Sequence, residues 1–225
     1  MLLEVKDISL TFGGHQVLAG LSFALDEGAC LGLRGANGAG KSSLLHILSG
    51  FIQPQSGRIF FRGQSIEHLP LEARQELGLL RSFQQARHFR QLTVWENLLG
   101  SLRMADAPWQ LIWHTAARRH MERVLREGLE IFGLQHVHQT RAGDLPLLES
   151  RCLEILRILL QDPQLLLLDE PCAGLNQSHA SHILDAIRTF RPRVAMVIVE
   201  HQVSLLHVYC DRQLLLEGGQ LHSLG

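Results

Sequence analysis

Lysine is almost missing from this chain: of 21 basic side chains only Lys6 and Lys41 are lysines, and the other 19 are arginines. The formal net charge is −1 and no run of basic residues occurs, so the electrostatic footprint that a phosphate-backbone partner requires is lacking. Nucleic-acid binding is therefore not expected. Long apolar runs are lacking too. The densest, Leu165 to Leu168 and Val194 to Val199, end at Asp169 and Glu200, far short of the roughly 18 residues of a spanning helix. Met1-Leu2-Leu3 runs at once into Glu4, Lys6 and Asp7, which is no secretory leader. The four cysteines, Cys30, Cys152, Cys172 and Cys210, fall at no metal-ligand or redox spacing and read as reduced, mostly buried thiols of a cytosolic protein.

What is present is a chain of 225 residues with 46% apolar content, enough for one large domain or one domain with a subdomain. Strand and helix signals alternate, the pattern of an α/β domain. Leu3, Val5, Ile8 and Leu10 alternate imperfectly, Gly13-Gly14 turns the chain, and Val17 to Leu25 returns as an antiparallel partner. Ala29 to Leu33 predicts a strand, Lys41 to Leu48 a helix, Ile59 to Phe61 with Gly63 a hairpin, and Gly78 to Phe83 a strand. Helical patterns then dominate at Val94 to Leu102, Ala116 to Phe132 and Leu148 to Gln161. Strands return at Leu165 to Leu168, Val194 to Val199 and Gln213 to Leu216, with helices at Ser178 to Phe190 and Val203 to Tyr209. The expected division is a sheet core from residues 1–92 and 162–225 with a helical subdomain, 93–161, inserted into it.

Gly35-Ala36-Asn37-Gly38-Ala39-Gly40-Lys41-Ser42 matches G-x-x-x-x-G-K-[ST] between an apolar strand and a helix. The glycines let successive N–H groups converge on phosphate oxygens, and the following helix contributes its positive end. Gly35, Asn37, Gly38, Ala39, Gly40, Lys41, Ser42 and Ser43 are the expected nucleotide-binding residues. Lys41 is placed to reach the β- and γ-phosphates of ATP and the Ser42 hydroxyl to coordinate Mg²⁺. Further on, Leu165 to Leu168 deliver Asp169 and Glu170 at a strand end, with Pro171 next. Asp169 is the expected carboxylate on the Mg²⁺, and Glu170, on the other face, the group that polarises the attacking water.

The phosphate loop, Gln84, the leucine-rich strand into Asp169-Glu170, and His201 together resemble the ATP-binding subunits of ABC transporters. The resemblance implies a P-loop NTPase core with a mostly parallel sheet, an N-terminal antiparallel β part and an inserted α-helical subdomain. It further implies that Phe12 stacks on adenine, although a core Phe beside a turn reads equally well. Gln84, with Gln85 a close competitor, would be the glutamine that touches the metal and links the nucleotide to the helical subdomain. His201, after Val197-Ile198-Val199-Glu200, would be the histidine on the γ-phosphate. Glu170, His201, Gln84 and Lys41 are thus the expected catalytic set, and Ser42, Gln84 and Asp169 the metal set. Gly13-Gly14 after Phe12, Arg81-Ser82-Phe83-Gln84, Leu92 to Leu98, the stretch around Trp109 and Trp113, and Ala173-Gly174-Leu175-Asn176 look like the branched-chain amino-acid and urea-type importers. Lipopolysaccharide-transport subunits share part of this pattern. Transmembrane permease subunits, and a solute-binding protein, are the partners so implied, with the chain peripheral on the cytoplasmic face of the membrane.

One element departs from the family. Where its members carry L-S-G-G-Q, this chain reads Leu145-Pro146-Leu147-Leu148-Glu149. Pro146 offers neither hydroxyl nor N–H, two leucines add bulk where backbone must approach phosphate, and Glu149 carries negative charge toward an anion. The helix behind it is intact, with Leu148, Cys152, Ile155, Leu156 and Leu159 on one face. In the family each nucleotide lies between one chain's phosphate loop and the other chain's signature. The expectation is an asymmetric heterodimer with a second ABC ATPase subunit whose signature is intact. A nucleotide-binding regulatory subunit with little hydrolysis, and a soluble ABC-type ATPase unconnected with transport, are the alternatives.

Overall fold

The computed structural model describes residues 1–82, 88–102, 115–190 and 193–224. Gln84, Gln85, Trp109 and Trp113 lie outside the described residues. The chain divides into two compact units, one of Met1–Gln84, Pro163–Ala173 and Phe190–Gly225, the other of Gln85–Asp162 and Gly174–Thr189.

The first unit holds two sheets. In one, β1 (Leu3–Phe12) pairs antiparallel with β2 (His15–Leu25) and with β4 (Ser56–Phe61), and β4 pairs with the short β5 (Gln64–Ser65). The imperfect alternation along β1 has a physical cause. Asp7 takes a left-handed φ of 52°, with its N–H bonded to Ser22 Oγ, and the register slips between Val5 and Ile8. That irregularity lets both Val5 and Ile8 face the core, at 1% and 0% exposure.

The other sheet has six strands in the order β10-β9-β3-β8-β7-β6. Its strands are β3 (Cys30–Arg34), β6 (Leu79–Arg81), β7 (Leu165–Asp169), β8 (Ala195–Val199), β9 (Arg212–Glu217) and β10 (Gln220–Leu224). All pairings are parallel except the terminal hairpin of β9 and β10. β7 and β8 are buried along their whole length, which is why they read as unbroken apolar runs rather than as alternating ones. Helices α1 (Lys41–Leu48), α2 (Leu71–Glu76) and α7 (Val203–Tyr209) complete the unit. Leu44, Leu45, Ile47 and Leu48 of α1 join residues of both sheets in one core. Neither α2 nor β10 is foreshadowed by periodicity, since each is too short to display one.

The second unit is helical: α3 (Val94–Leu99), α4 (Thr115–Ile131), α5 (Leu147–Leu159) and α6 (Gln177–Arg188). Thr93 and Glu96 form a reciprocal capping box at the head of α3, and Asn97 ties the preceding loop down by hydrogen bonds with the backbone of Phe89, Leu92 and Thr93. Cys152, Ile155, Leu156 and Leu159 of α5 are buried and Leu148 is half-buried, the face expected from their spacing. Among the described residues no helix is long and apolar enough to cross a membrane.

Candidate functional site

Parallel strands place their carboxyl ends at one edge of a sheet, and three segments arrive there together. Leu33 and Asp169 both stand opposite Val199 of the intervening strand, so the loop after β3, the end of β7 and the residues after β8 meet at one level. They enclose a cleft of about 760 Å³ lined by Val17, Asn37, Gly38, Gly40, Lys41, Ser42, Ser43, Glu170 and His201.

The loop demands glycine at fixed points. At Gly35, φ is 155° and an added Cβ would lie 2.5 Å from the carbonyl oxygen of Leu216. Gly40 is the left-handed residue before α1, φ 101°, where a Cβ would come within 2.8 Å of the Leu18 side chain. No side chain caps α1, whose first turn carries no acidic residue, so its N–H groups remain directed at the loop. Lys41 is buried at 6% exposure, and its ammonium donates to the carbonyl oxygens of Gly35 at 2.7 Å and Ala36 at 2.9 Å. Its charge is thus held within the curl of the loop.

The two consecutive carboxylates diverge. Asp169 is 3% exposed, its Oδ2 accepts from Arg81 Nη2 at 2.7 Å, and its backbone N–H donates to Ser82 Oγ at 3.1 Å. Glu170 takes a left-handed φ of 51°, a conformation that costs a side-chain-bearing residue about 1–2 kcal/mol. Its N–H still bonds to the Val199 carbonyl, at 3.0 Å. This kink turns the second carboxylate into the cleft, where Oε1 lies 3.0 Å from His201 Nε2. Glu200, between strand and histidine, is 4% exposed and accepts from the N–H groups of Cys172 and His201. Burial pushes its carboxyl above the usual range, against those hydrogen bonds, and the Glu170 charge adds to the rise.

The structure therefore gathers Asn37, Gly38, Gly40, Lys41, Ser42, Ser43, Glu170 and His201 in one cleft. Gly35 and Ala39 belong to the same loop. Asp169 is buried beside it, engaged by Arg81. Phe12 ends β1, is half exposed and is not among the residues that line the cleft. Two participants were missed from sequence: Val17, a lining residue contributed by the other sheet, and Arg81. The arginine had a signal, the Arg81-Ser82-Phe83-Gln84 motif, but nothing local to say that its guanidinium meets Asp169.

A glycine loop that feeds a helix at the carboxyl edge of a mainly parallel sheet, with a buried Asp ending the neighbouring strand, defines a P-loop nucleotide-binding ATPase fold. More narrowly, the chain belongs to the ABC transporter family, whose family model matches residues 18–173. It is 32% identical to the high-affinity branched-chain amino acid transport ATP-binding protein BraF of Pseudomonas aeruginosa, covering 97% of this chain and 89% of that protein. It is 33% identical to the corresponding LivG protein of Salmonella typhimurium, over 94% of this chain and 86% of that one. The fold superposes on a crystal structure of a nucleotide-free ATP-binding cassette from an ABC transporter with a TM-score of 0.82, at 26% identity, over 98% of this chain and 89% of the other.

P-loop nucleotide sites as a class take Mg²⁺ with the phosphates, and the residues here fit such an ion. Asp169 Oδ1 is a buried oxygen with no hydrogen-bond partner among the described residues, and Ser42, which carries a hydroxyl, is one of the residues lining the adjoining cleft.

Proposed function

We propose that this chain is the ATP-binding and ATP-hydrolysing subunit of an ABC importer related to those for branched-chain amino acids and urea, acting through permease subunits supplied by other chains. The observation that carries the reading is the kink at Glu170. It places a carboxylate and the His201 imidazole in contact, within the cleft that also holds Lys41 and Ser42. A subunit that merely binds nucleotide has no physical need for that pair.

In this reading the loop N–H groups and the Lys41 ammonium hold the β- and γ-phosphates and neutralise charge that builds on the transferred group. Ser42, Gln84 and Asp169 would hold Mg²⁺, which would supply positive charge to offset that of the phosphates. Glu170 orients the attacking water and accepts its proton, and His201, bonded to Glu170, bears on the γ-phosphate. Phe12 supplies an apolar surface for adenine. Residues 93–161 act as the helical subdomain that reports nucleotide state to the permease, with a solute-binding protein delivering the cargo.

The head of α5 bears on the assembly. Pro146 precedes α5 and offers no side-chain cap, Leu147 is 48% exposed, and Glu149 occupies the first turn. A helix start of this kind has no hydroxyl or glycine N–H for a γ-phosphate. The chain accordingly works as half of a heterodimer, with a second ABC ATPase subunit providing an intact signature over this chain's phosphate loop. The same segment favours a second reading, a regulatory subunit that seldom hydrolyses.

Purified alone, the chain should bind MgATP and turn it over slowly. With its partner subunit, Glu170→Gln should retain ATP and lose hydrolysis by at least about a hundredfold. Wild-type hydrolysis by that mutant complex would refute the catalytic assignment, and vigorous hydrolysis by the isolated chain would refute the heterodimer.

A further inference from the structure

Cys30 and Cys210 are 180 residues apart in sequence, yet their sulfur atoms lie 3.5 Å from each other. We propose that this pair is an oxidative modification site, which peroxide converts into an intramolecular disulfide. Several features hold the two thiols in register. Cys30 opens β3 and Cys210 follows the last residue of α7. Between these segments the Asp211 N–H donates to the Cys30 carbonyl at 2.9 Å, while the Cys30 N–H donates to the Asp211 carboxylate at 2.7 Å. The backbones are thus clamped at the level of the sulfurs. Gly32 provides the room: a Cβ there would sit 3.2 Å from Cys210 Sγ. Closing the 3.5 Å sulfur–sulfur contact to a bond of about 2.05 Å then needs the two sulfurs to approach by roughly 1.5 Å through side-chain rotation.

Exposure divides the chemistry between the two residues. Cys210 is partly exposed and Cys30 is buried, at 2%. The Cys210 thiolate attacks one oxygen of hydrogen peroxide, the O–O bond breaks, and hydroxide leaves to be protonated to water. The resulting sulfenic acid is then attacked by the Cys30 sulfur, which forms the S–S bond and expels the second water as it gives up its proton. Two thiols and one peroxide become one disulfide and two waters, with the thiols oxidised and the peroxide reduced. The remaining cysteines serve as internal controls. Cys152 is buried and its thiol is pushed up to about 12, and Cys172 is 1% exposed, so both should stay reduced.

The cross-link would join the start of β3 to the start of β9, neighbours in the sheet, and would close a loop containing most of the chain. The phosphate loop leaves the opposite end of β3, about 13 Å further along the strand. The bond therefore staples the core without entering the nucleotide cleft.

The test uses the full chain, fully reduced, treated with hydrogen peroxide, denatured with excess N-ethylmaleimide and weighed intact. The expected result is two maleimide adducts in place of four, a mass two hydrogen atoms below that calculated for the reduced chain with two adducts, and a peptide joining Cys30 to Cys210 that dithiothreitol separates. The oxidised chain should also melt at a higher temperature and return on reduction. Four adducts after peroxide, a Cys210 carrying two or three oxygens beside an alkylated Cys30, or a disulfide between two copies of the chain would each overturn the proposal. Cys210→Ala should give three adducts with and without peroxide; loss of further thiols in that variant would overturn it as well.

Discussion

Arg74→Met tests whether the phosphate-loop helix is anchored from its far end. Arg74 is fully buried, and burial lowers its pKa to about 10, leaving it protonated at neutral pH. Its guanidinium donates to the carbonyls of Ile47 at 2.6 Å, Leu48 at 2.9 Å, Glu67 at 3.0 Å and Leu69 at 3.0 Å. The first two are terminal carbonyls of α1, whose opposite end carries Lys41 and Ser42. Ile47 also receives the N–H of Gly50, so the carbonyls of Leu48, Glu67 and Leu69 bear most of the loss. The bond to Leu48 is buried and those to Glu67 and Leu69 are part-buried, so losing the three donors costs about 1–2 kcal/mol for the first and less for each of the others, roughly 2–4 kcal/mol together. A chain of this length has about 5–15 kcal/mol in total. Thermal unfolding followed by circular dichroism should show Tm lowered by on the order of 10 °C. Arg74→Lys, with three donors on one nitrogen instead of a planar fork, should recover about half of that. A Tm for Arg74→Met within about 2 °C of wild type would mean that water or backbone rearrangement satisfies these carbonyls, and the anchoring argument would fail.

Gly40→Ala should fold but lose nucleotide affinity by roughly tenfold or more, because a left-handed φ and a crowded Cβ force the loop to shift; titration with a fluorescent ATP analogue measures it. Glu200 has a folded-state pKa above its unfolded value, so the native state binds the extra proton in that window and stability falls as pH rises through it from the ordinary carboxylate range. Urea midpoints across mildly acidic to neutral pH should decline less for Glu200→Gln than for wild type, and parallel curves would contradict the assignment. Replacing Pro146, Leu147, Leu148 and Glu149 by serine, glycine, glycine and glutamine should raise ATP hydrolysis by the isolated chain, read as released phosphate; unchanged turnover would argue that the segment does not limit activity.

The elements that carry the site were legible because each writes its chemistry in adjacent residues. The glycine loop, α1 behind it, and the apolar strand into Asp169 and Glu170 stand where their local patterns put them. The apolar face of α5 did too, since its spacing survives the change at its head. What could not be read are contacts made by folding alone. Arg81 and Asp169 meet across parallel strands, Cys30 and Cys210 meet through β3 and the turn after α7, and Val17 crosses from a different sheet. Arg74 stayed hidden for another reason: α2 has six residues, fewer than two turns, and so no periodicity to reveal that one of its charged side chains points inward.

The packing of α5 resides in Cys152, Ile155, Leu156 and Leu159, all of them beyond its first turn. Residues 145–149 carry little of that packing, with Leu148 only half-buried on the same face, and so can vary mainly under the constraint of their ligand contacts. A lineage could shed or regain the phosphate-capping half of a shared site through a handful of substitutions, with no unfolded intermediate to cross. In the proposed heterodimer those few positions would set the symmetry of the assembly, and a change there would barely move a melting curve.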